Sequence, residues 1–327
     1  MRLTHCCHAT DLARLLSKVG LGRMAQPLFL YPEAYSRSFQ CFLDSTYHRE
    51  KSILKCIEDH IVPVIKTGVC KILEEHSFNE SPFRVLSVGS GEGGNDINLL
   101  DALSKIPPND GEAMPMVNRV VEQNADRLAA FRAKAPNIRE HFKGRANVDF
   151  EWIQMTFQEY SSQKKADDDK FDVVHFIHSI YYLGVEDALV HCYEKELARQ
   201  GMLISITESE ASPFCKYAEK FGDRLIDSMS RNNNVVDVAR EKGWKYFVCS
   251  GDFKILDITS IFNSSSLEGN SLLDFLTYRM GVRQNENSET VDKMLRFWEE
   301  QSTINEQGKR IVQLGDNAVI IVKGFES

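Results

Sequence analysis

No apolar run in the 327 residues approaches the ~20 needed to cross a bilayer, and no signal-type hydrophobic stretch precedes a small-residue cleavage site near the N-terminus. These absences predict a cytoplasmic protein with no membrane partner. Basic charge is in short supply, with 39 Lys and Arg against 47 Asp and Glu, a net charge of −8 and a pI near 5.7. Binding phosphate backbones requires a basic stripe, so no nucleic-acid partner is expected. The eight cysteines are scattered and form no C-x-x-C pair, which argues for buried reduced thiols and no metal site. No internal repeat or low-complexity tract interrupts the chain, and a monomer is expected.

What the chain does have is a glycine turn. Arg84 to Val88 are rich in β-formers and run into Gly89, Gly91 and Gly93, after which apolar residues take helical spacing at Ile97, Leu99, Leu100 and Leu103. Strand, turn and helix in that order make a nucleotide cradle, because glycine permits positive φ and close ligand approach. Glu122 ends the next β-like run, Asn118 to Val121, where a carboxylate can accept both hydroxyls of a ribose. The turn itself reads G-S-G-E-G-G, with Glu92 inside it and Asp96 in the first helical turn. Both acids repel a pyrophosphate and suit a cationic ligand. S-adenosyl-L-methionine has a sulfonium, an ammonium and a ribose but no phosphate, and is the expected cofactor.

Strands are expected at Val148 to Thr156, Phe171 to Ile177, Met202 to Ile206, 246 to 251 and 317 to 324, with helices between several of them. The helix after Glu122 is expected from Ala125 to Lys134, and the helix of residues 49 to 74 is expected to kink or split at Pro63. Alternating β and α with strands buried on both faces predict an α/β fold, a doubly wound and mostly parallel sheet. In such sheets ligands bind beyond the carboxyl ends of the strands. At the end of the fourth strand stand His178, Tyr181 and Tyr182, the candidate catalytic residues.

The segments LSVGSGEGGNDINLL, VVEQNAD, FDVVHFIHSIYYL, LLDFLTYRMG and IIVKG, in this order, resemble the histamine N-methyltransferase family of class I S-adenosylmethionine-dependent enzymes. The resemblance runs from about Tyr31 to the C-terminus. It implies a Rossmann-like sheet of seven strands whose last is antiparallel, within a methyltransferase domain over 31–327. A smaller substrate-capping region would come from about 31–50, 212–240 and 256–312, and residues 1–30 are expected to form an N-terminal extension, disordered or loosely docked. Carried over by position, Gly89, Gly91, Glu122, Arg127, Phe157 and Ile177 would contact the cofactor, with Arg127 standing for the family's glutamine and Phe157 for a serine whose contact can pass through main chain.

The substrate side departs further from the family. Tyr35 and Phe39 match its N-terminal aromatic pair, Tyr181 and Tyr182 match the tyrosines of its amine pocket, and His178 replaces a glutamine. Its amine-binding glutamate falls on Tyr47, His48 or Arg49, and its C-terminal asparagine on residues 315–317, with Glu50 and Asp316 close enough to substitute. The implied activity is N-methylation of a small imidazole-containing or aromatic amine, with His178 hydrogen-bonding the acceptor. Because Arg49 would repel an ammonium, histamine is expected to be a poorer acceptor than an imidazole amino acid or dipeptide. The alternatives are a cofactor-binding homologue with lost or changed acceptor activity and a nicotinamide oxidoreductase; the latter is disfavoured because no Tyr-x-x-x-Lys follows the fourth or fifth strand.

Overall fold

The computed structural model describes residues 26–47, 49–75, 81–106, 113–165, 168–209, 211–221, 235–250 and 254–325. The chain divides into two compact units, one of which comprises Arg49–Ser212, Asp223–Phe253 and Gly315–Ser327. Its sheet has seven strands: β1 Phe83–Val88, β2 Met114–Val121, β3 Ala146–Ile153, β4 Phe171–Ile177, β5 Leu197–Glu208, β6 Lys245–Ser250 and β7 Asp316–Lys323. Their order is 3-2-1-4-5-7-6. The first five are parallel, and β7 lies antiparallel between β5 and β6. This is the expected doubly wound, mostly parallel Rossmann-like sheet of seven strands, its last strand in sequence antiparallel. The order reverses at β1, so the carboxyl ends of β1, β2 and β4 border the crevice where such sheets bind ligands.

The apolar continuity of β4 has its expected cause, since all seven of its residues are buried. Helix α1 (Gly94–Ser104) follows the glycine turn, and α2 (Ala125–Phe142) follows β2. Helix α2 passes through Pro136 instead of stopping near Lys134. An interior proline costs about 3 kcal/mol. The turn beyond it buries Ile138 and Phe142 on the same face as Leu128, Phe131 and Ala135, which offsets that cost. The helix expected over 49–74 runs to Glu75, and its irregularity is a π-helical turn at Ile57–Ile61. Pro63 follows immediately, where its missing N–H and ring exclude a regular bond to the preceding turn. Strand β5 is longer than its apolar run at both ends and carries Glu208 to its carboxyl terminus.

The second unit comprises Met1–His48, Pro213–Gly222 and Lys254–Leu314. Its four-stranded antiparallel sheet, in the order Thr46–Tyr47, Lys254–Asp257, Arg310–Leu314 and Thr303–Ile304, has strands too short to show alternation in sequence. Helices Pro32–Ser45, Leu267–Thr277 and Ser288–Glu300 contribute Phe42, Phe275 and Trp298 to an aromatic core. Of the expected extension, residues 26–30 are docked here: Leu28 is buried and Pro27 bridges Arg279, while residues 1–25 lie outside the described residues. Among the described residues no helix is long and apolar enough to cross a membrane.

Candidate active site

Chain reversal between β1 and α1 rests on Gly89, Gly91 and Gly93, at φ of +71°, +56° and +77°. Added Cβ atoms would stand 2.5 Å from the Ser179 Cβ at Gly89 and 2.2 Å from the Phe131 ring at Gly93, so these two positions also need glycine for packing. Gly91 differs: apart from its chain neighbours, no atom of the described residues lies within 4 Å of where its Cβ would stand, which leaves bare backbone open to a ligand. Glu122, buried just beyond β2, accepts the Gly91 N–H at 2.8 Å through Oε2 and the Asn124 N–H at 2.8 Å through Oε1. Each carboxylate oxygen keeps a second lone pair. A carboxylate fixed beside open backbone fits a ribose, so the residues present suit a nucleoside cofactor without phosphate.

Asp96 does not face that cradle. Its side chain is buried, accepts the Ser90 hydroxyl at 2.7 Å and lies 3.6 Å from His175 Nε2, whereas Glu92 stays exposed. Of the two acids expected to repel a pyrophosphate, Glu92 alone has its side chain in solvent. Arg127, half-buried in the first turn of α2, donates its N–H to the capping Asn124 side chain at 3.0 Å. The Phe157 side chain is buried among Tyr160, Phe176 and His191, so its route to a ligand is through its main chain. Ile177 ends β4 and is buried.

Beyond Ile177 the backbone of His178 takes φ +55°, strained for a residue with a Cβ. Its N–H donates to the Ile206 carbonyl at 2.9 Å, which ties the strained residue to β5. Its Nε2 lies 3.4 Å from Asp316 Oδ1, with the His178 side chain 9% and the Asp316 side chain 1% exposed. Asp316 opens β7 directly opposite Glu208, the last residue of β5, whose Oε2 accepts the Ser212 hydroxyl at 3.0 Å. One ligating atom from each of His178, Glu208 and Asp316 can be chosen so that all lie within 4.8 Å of one another. Carboxylates facing each other across antiparallel strands repel, and a cation between them removes that cost. Donors about 2.1 Å from a tetrahedral metal stand about 3.4 Å apart, and hydrogen-bond acceptors about 2.8 Å from an ammonium stand about 4.6 Å apart. The set can therefore accommodate an ammonium or, with modest closure, a metal ion. Tyr181 and Tyr182 follow in a 3-10 turn with ring centroids 4.5 Å apart, and Tyr182 is half exposed.

The remaining candidates belong to the other unit or fall outside description. Tyr35 and Phe39 stack at 6.0 Å and both lie against Phe275, so the stripe is largely core, although each is only partly buried. Tyr47 is exposed; its hydroxyl accepts from Lys309 Nζ at 2.8 Å, and that lysine also pairs with Asp257 at 3.0 Å. Hydrogen bonds donated to Tyr47 and then to Asp257 raise the Lys309 ammonium above the usual lysine range. Arg49 and Glu50 begin a helix, and their side chains lie outside the described residues.

Two features escaped sequence reasoning. Glu208 lies two residues beyond the apolar run that marked the fifth strand, and only the β5–β7 register sets it against Asp316. The second is a buried polar string through His175, in the middle of a strand whose apolar continuity signalled only a core.

No family model matches the chain. Among curated proteins, histamine N-methyltransferase A of Xenopus laevis is 28% identical over 271 residues, 80% of this chain and 85% of its own. This protein is similar to the histamine N-methyltransferases. The enzyme of that name from Danio rerio is 28% identical over 76% of this chain and 80% of its own length. Carnosine N-methyltransferase 2 of Gallus gallus is 28% identical as well, over 76% of this chain and 73% of its own. The likeness thus spans two acceptors named for different imidazole compounds.

Proposed function

We propose that this protein is an S-adenosyl-L-methionine-dependent N-methyltransferase. Its acceptor is a small molecule carrying an ammonium and, apart from it, a neutral imidazole or aromatic nitrogen. The observation that carries the acceptor class is the meeting of His178, Glu208 and Asp316 at the carboxyl edge of the sheet. An ammonium has no lone pair to receive a methyl group, so a nitrogen held there as a cation is an anchor and a second nitrogen is the acceptor. The cofactor supplies an electrophilic sulfonium methyl when bound. Gly91 and Glu122 hold its nucleoside end, and His178, beside the two carboxylates, hydrogen-bonds the ammonium end of the acceptor molecule and so orients its second nitrogen, which is where most of the rate of such a transfer arises.

The paired carboxylates supply the negative charge that Tyr47, His48 and Arg49 do not, and this restores histamine as a substrate. They disfavour a carboxylate bonded next to the ammonium, as in histidine. Carnosine, whose ammonium is remote from its carboxylate, remains compatible, in keeping with the carnosine-methylating relative. The test is methyl transfer from labelled cofactor to histamine, carnosine, histidine and the neutral analogue imidazole-4-ethanol. Histamine or carnosine is expected to exceed the other two by tenfold or more in kcat/KM. Preference for the neutral analogue, or stoichiometric binding of zinc or manganese that Glu208→Gln abolishes, overturns the ammonium assignment. Absence of S-adenosylhomocysteine binding overturns the cofactor.

A further inference from the structure

Below the glycine turn, in the interior of the sheet, a string of buried polar side chains crosses three strands. Asn118 of β2, Ser87 of β1 and His175 of β4 are each at most 1% exposed, and Asp96 in the first turn of α1 is 2% exposed. The Ser87 hydroxyl donates to Asn118 Oδ1 at 2.8 Å, and its oxygen lies 2.6 Å from His175 Nε2. With its one proton committed to Asn118, Ser87 can only accept from the ring, which assigns the Nε2–H tautomer. The same Nε2 lies 3.6 Å from Asp96 Oδ1, and that oxygen accepts the Ser90 hydroxyl at 2.7 Å. Ser87 stands two residues before Gly89, and Ser90 one residue after it. One limb of the turn is therefore hydrogen-bonded to the imidazole, and the other is held by a carboxylate that faces the same nitrogen.

We propose that His175 is a positioning residue for the cofactor turn, acting from the core through Ser87 and Asp96 without touching the ligand. This rests on the assignment of the turn to the cofactor. A hydrophobic residue would fill the same space, and the usual occupant of such a strand position is one. A donor at Nε2 does something a hydrophobe cannot, because it orients Ser87 and faces the carboxylate that holds Ser90. The environment also keeps the ring neutral. From β1 it meets Ser87 and beyond that Asn118 of β2, from β5 its register partner is the apolar Ile204, and from α1 it meets Asp96, the charged group set against it among the described residues. Its Nδ1 has no hydrogen-bond partner among the described residues, so a proton added there would be buried without an acceptor. Burial lowers the affinity of His175 for a proton, and Asp96 opposes this only in part.

Protonation in acid breaks the string or forces the ring to move, and the turn loosens with it. The decisive comparison is wild type against His175→Gln, whose amide can donate to Ser87 but does not titrate. Calorimetry with S-adenosylhomocysteine from pH 7.5 to 4.5 is expected to show affinity falling more steeply for the wild type once the pH passes below the lowered range of the buried ring, under the ordinary imidazole value of about 6.5, and the difference between the two proteins removes any contribution from His178. Hydrogen exchange of residues 88–94 in ligand-free protein should accelerate over the same range in the wild type alone. Ser87→Ala, which cuts the string and leaves the ring in place, is expected to raise the cofactor KM at least threefold at pH 7.5 with little change in kcat. It should also speed exchange in the turn. Identical pH profiles for the wild type and the glutamine variant, or unaltered exchange in Ser87→Ala, overturn the proposal. A wild type that binds no S-adenosyl compound at any pH defeats the cofactor assignment, and the exchange measurement still decides whether His175 holds the turn.

Discussion

Glu122 serves the chain and the proposed ligand through the same two oxygens. Sequence position suggests that removing it affects cofactor affinity and little else, but its carboxylate also satisfies the Gly91 and Asn124 N–H groups. Glu122→Ala is therefore expected to weaken S-adenosylhomocysteine binding by about 1.5 to 3 kcal/mol and to lower Tm as well, checked by calorimetry and thermal unfolding of the ligand-free protein. Tyr182 is the opposite case. It is half exposed and touches Tyr181 edge-on, so Tyr182→Ala should change stability by no more than roughly 0.5 kcal/mol. If it contacts the acceptor, the acceptor KM rises while the dissociation constant for S-adenosylhomocysteine stays put. A parallel loss of stability and cofactor binding would assign it to packing.

Among the elements, the glycine turn separates conformational need from ligand need. At Gly93 an added methyl group meets the Phe131 ring and the backbone is left-handed, so Gly93→Ala combines overpacking of about 1 to 3 kcal/mol with a conformational cost of roughly 1 to 2 kcal/mol. At Gly91 the conformational cost stands alone, because nothing among the described residues lies near the new methyl group. Gly93→Ala is expected to show the larger fall in urea-unfolding midpoint. Gly91→Ala should lose proportionately more cofactor affinity than stability, since its methyl group would intrude where the ligand approaches. Equal stability losses in the two variants would contradict the packing contrast at the turn.

For the whole molecule, acid stability should fall in two stages. The first is His175: its neutral form is favoured by folding, so the unfolded chain binds the extra proton and stability is lost as pH falls below about 6.5. The second involves Glu196. Burial raises its carboxyl, but hydrogen bonds from His191 and Lys164 outweigh that and hold it below the usual glutamate range. A carboxylate lowered in the folded state contributes stability above its ordinary value, about 4.3, and loses it as pH falls through the folded value. Urea unfolding from pH 7.5 to 3.5 checks both stages, and His175→Gln should remove the first alone. Lys164→Met leaves the buried Glu196 without its lysine and is expected to cost about 3 to 5 kcal/mol at pH 7.5.

Much of the central sheet was legible because each cue was local. Continuous apolar residues over Phe171–Ile177 mark a strand covered on both faces, and glycines between a strand and a helix mark a turn that side chains would obstruct. The order of these segments, with the resemblance they carry, was enough to infer an α/β sheet with an antiparallel last strand and a nucleoside cradle at Gly89, Gly91 and Glu122. Tertiary structure alone decided which acids gather at the carboxyl edge of the sheet and which face the core. Asp96 and Glu92 lie four residues apart, yet one is buried against Ser90 and His175 and the other is solvated, because the turn and α1 direct their side chains differently. Glu208 and Asp316 are more than a hundred residues apart and become neighbours through antiparallel pairing of β5 with β7, a register set by long-range hydrogen bonds. Local sequence determines how the chain turns and which segments are buried; the juxtaposition of charges depends on which strands pair and in what register, so it belongs to the folded molecule.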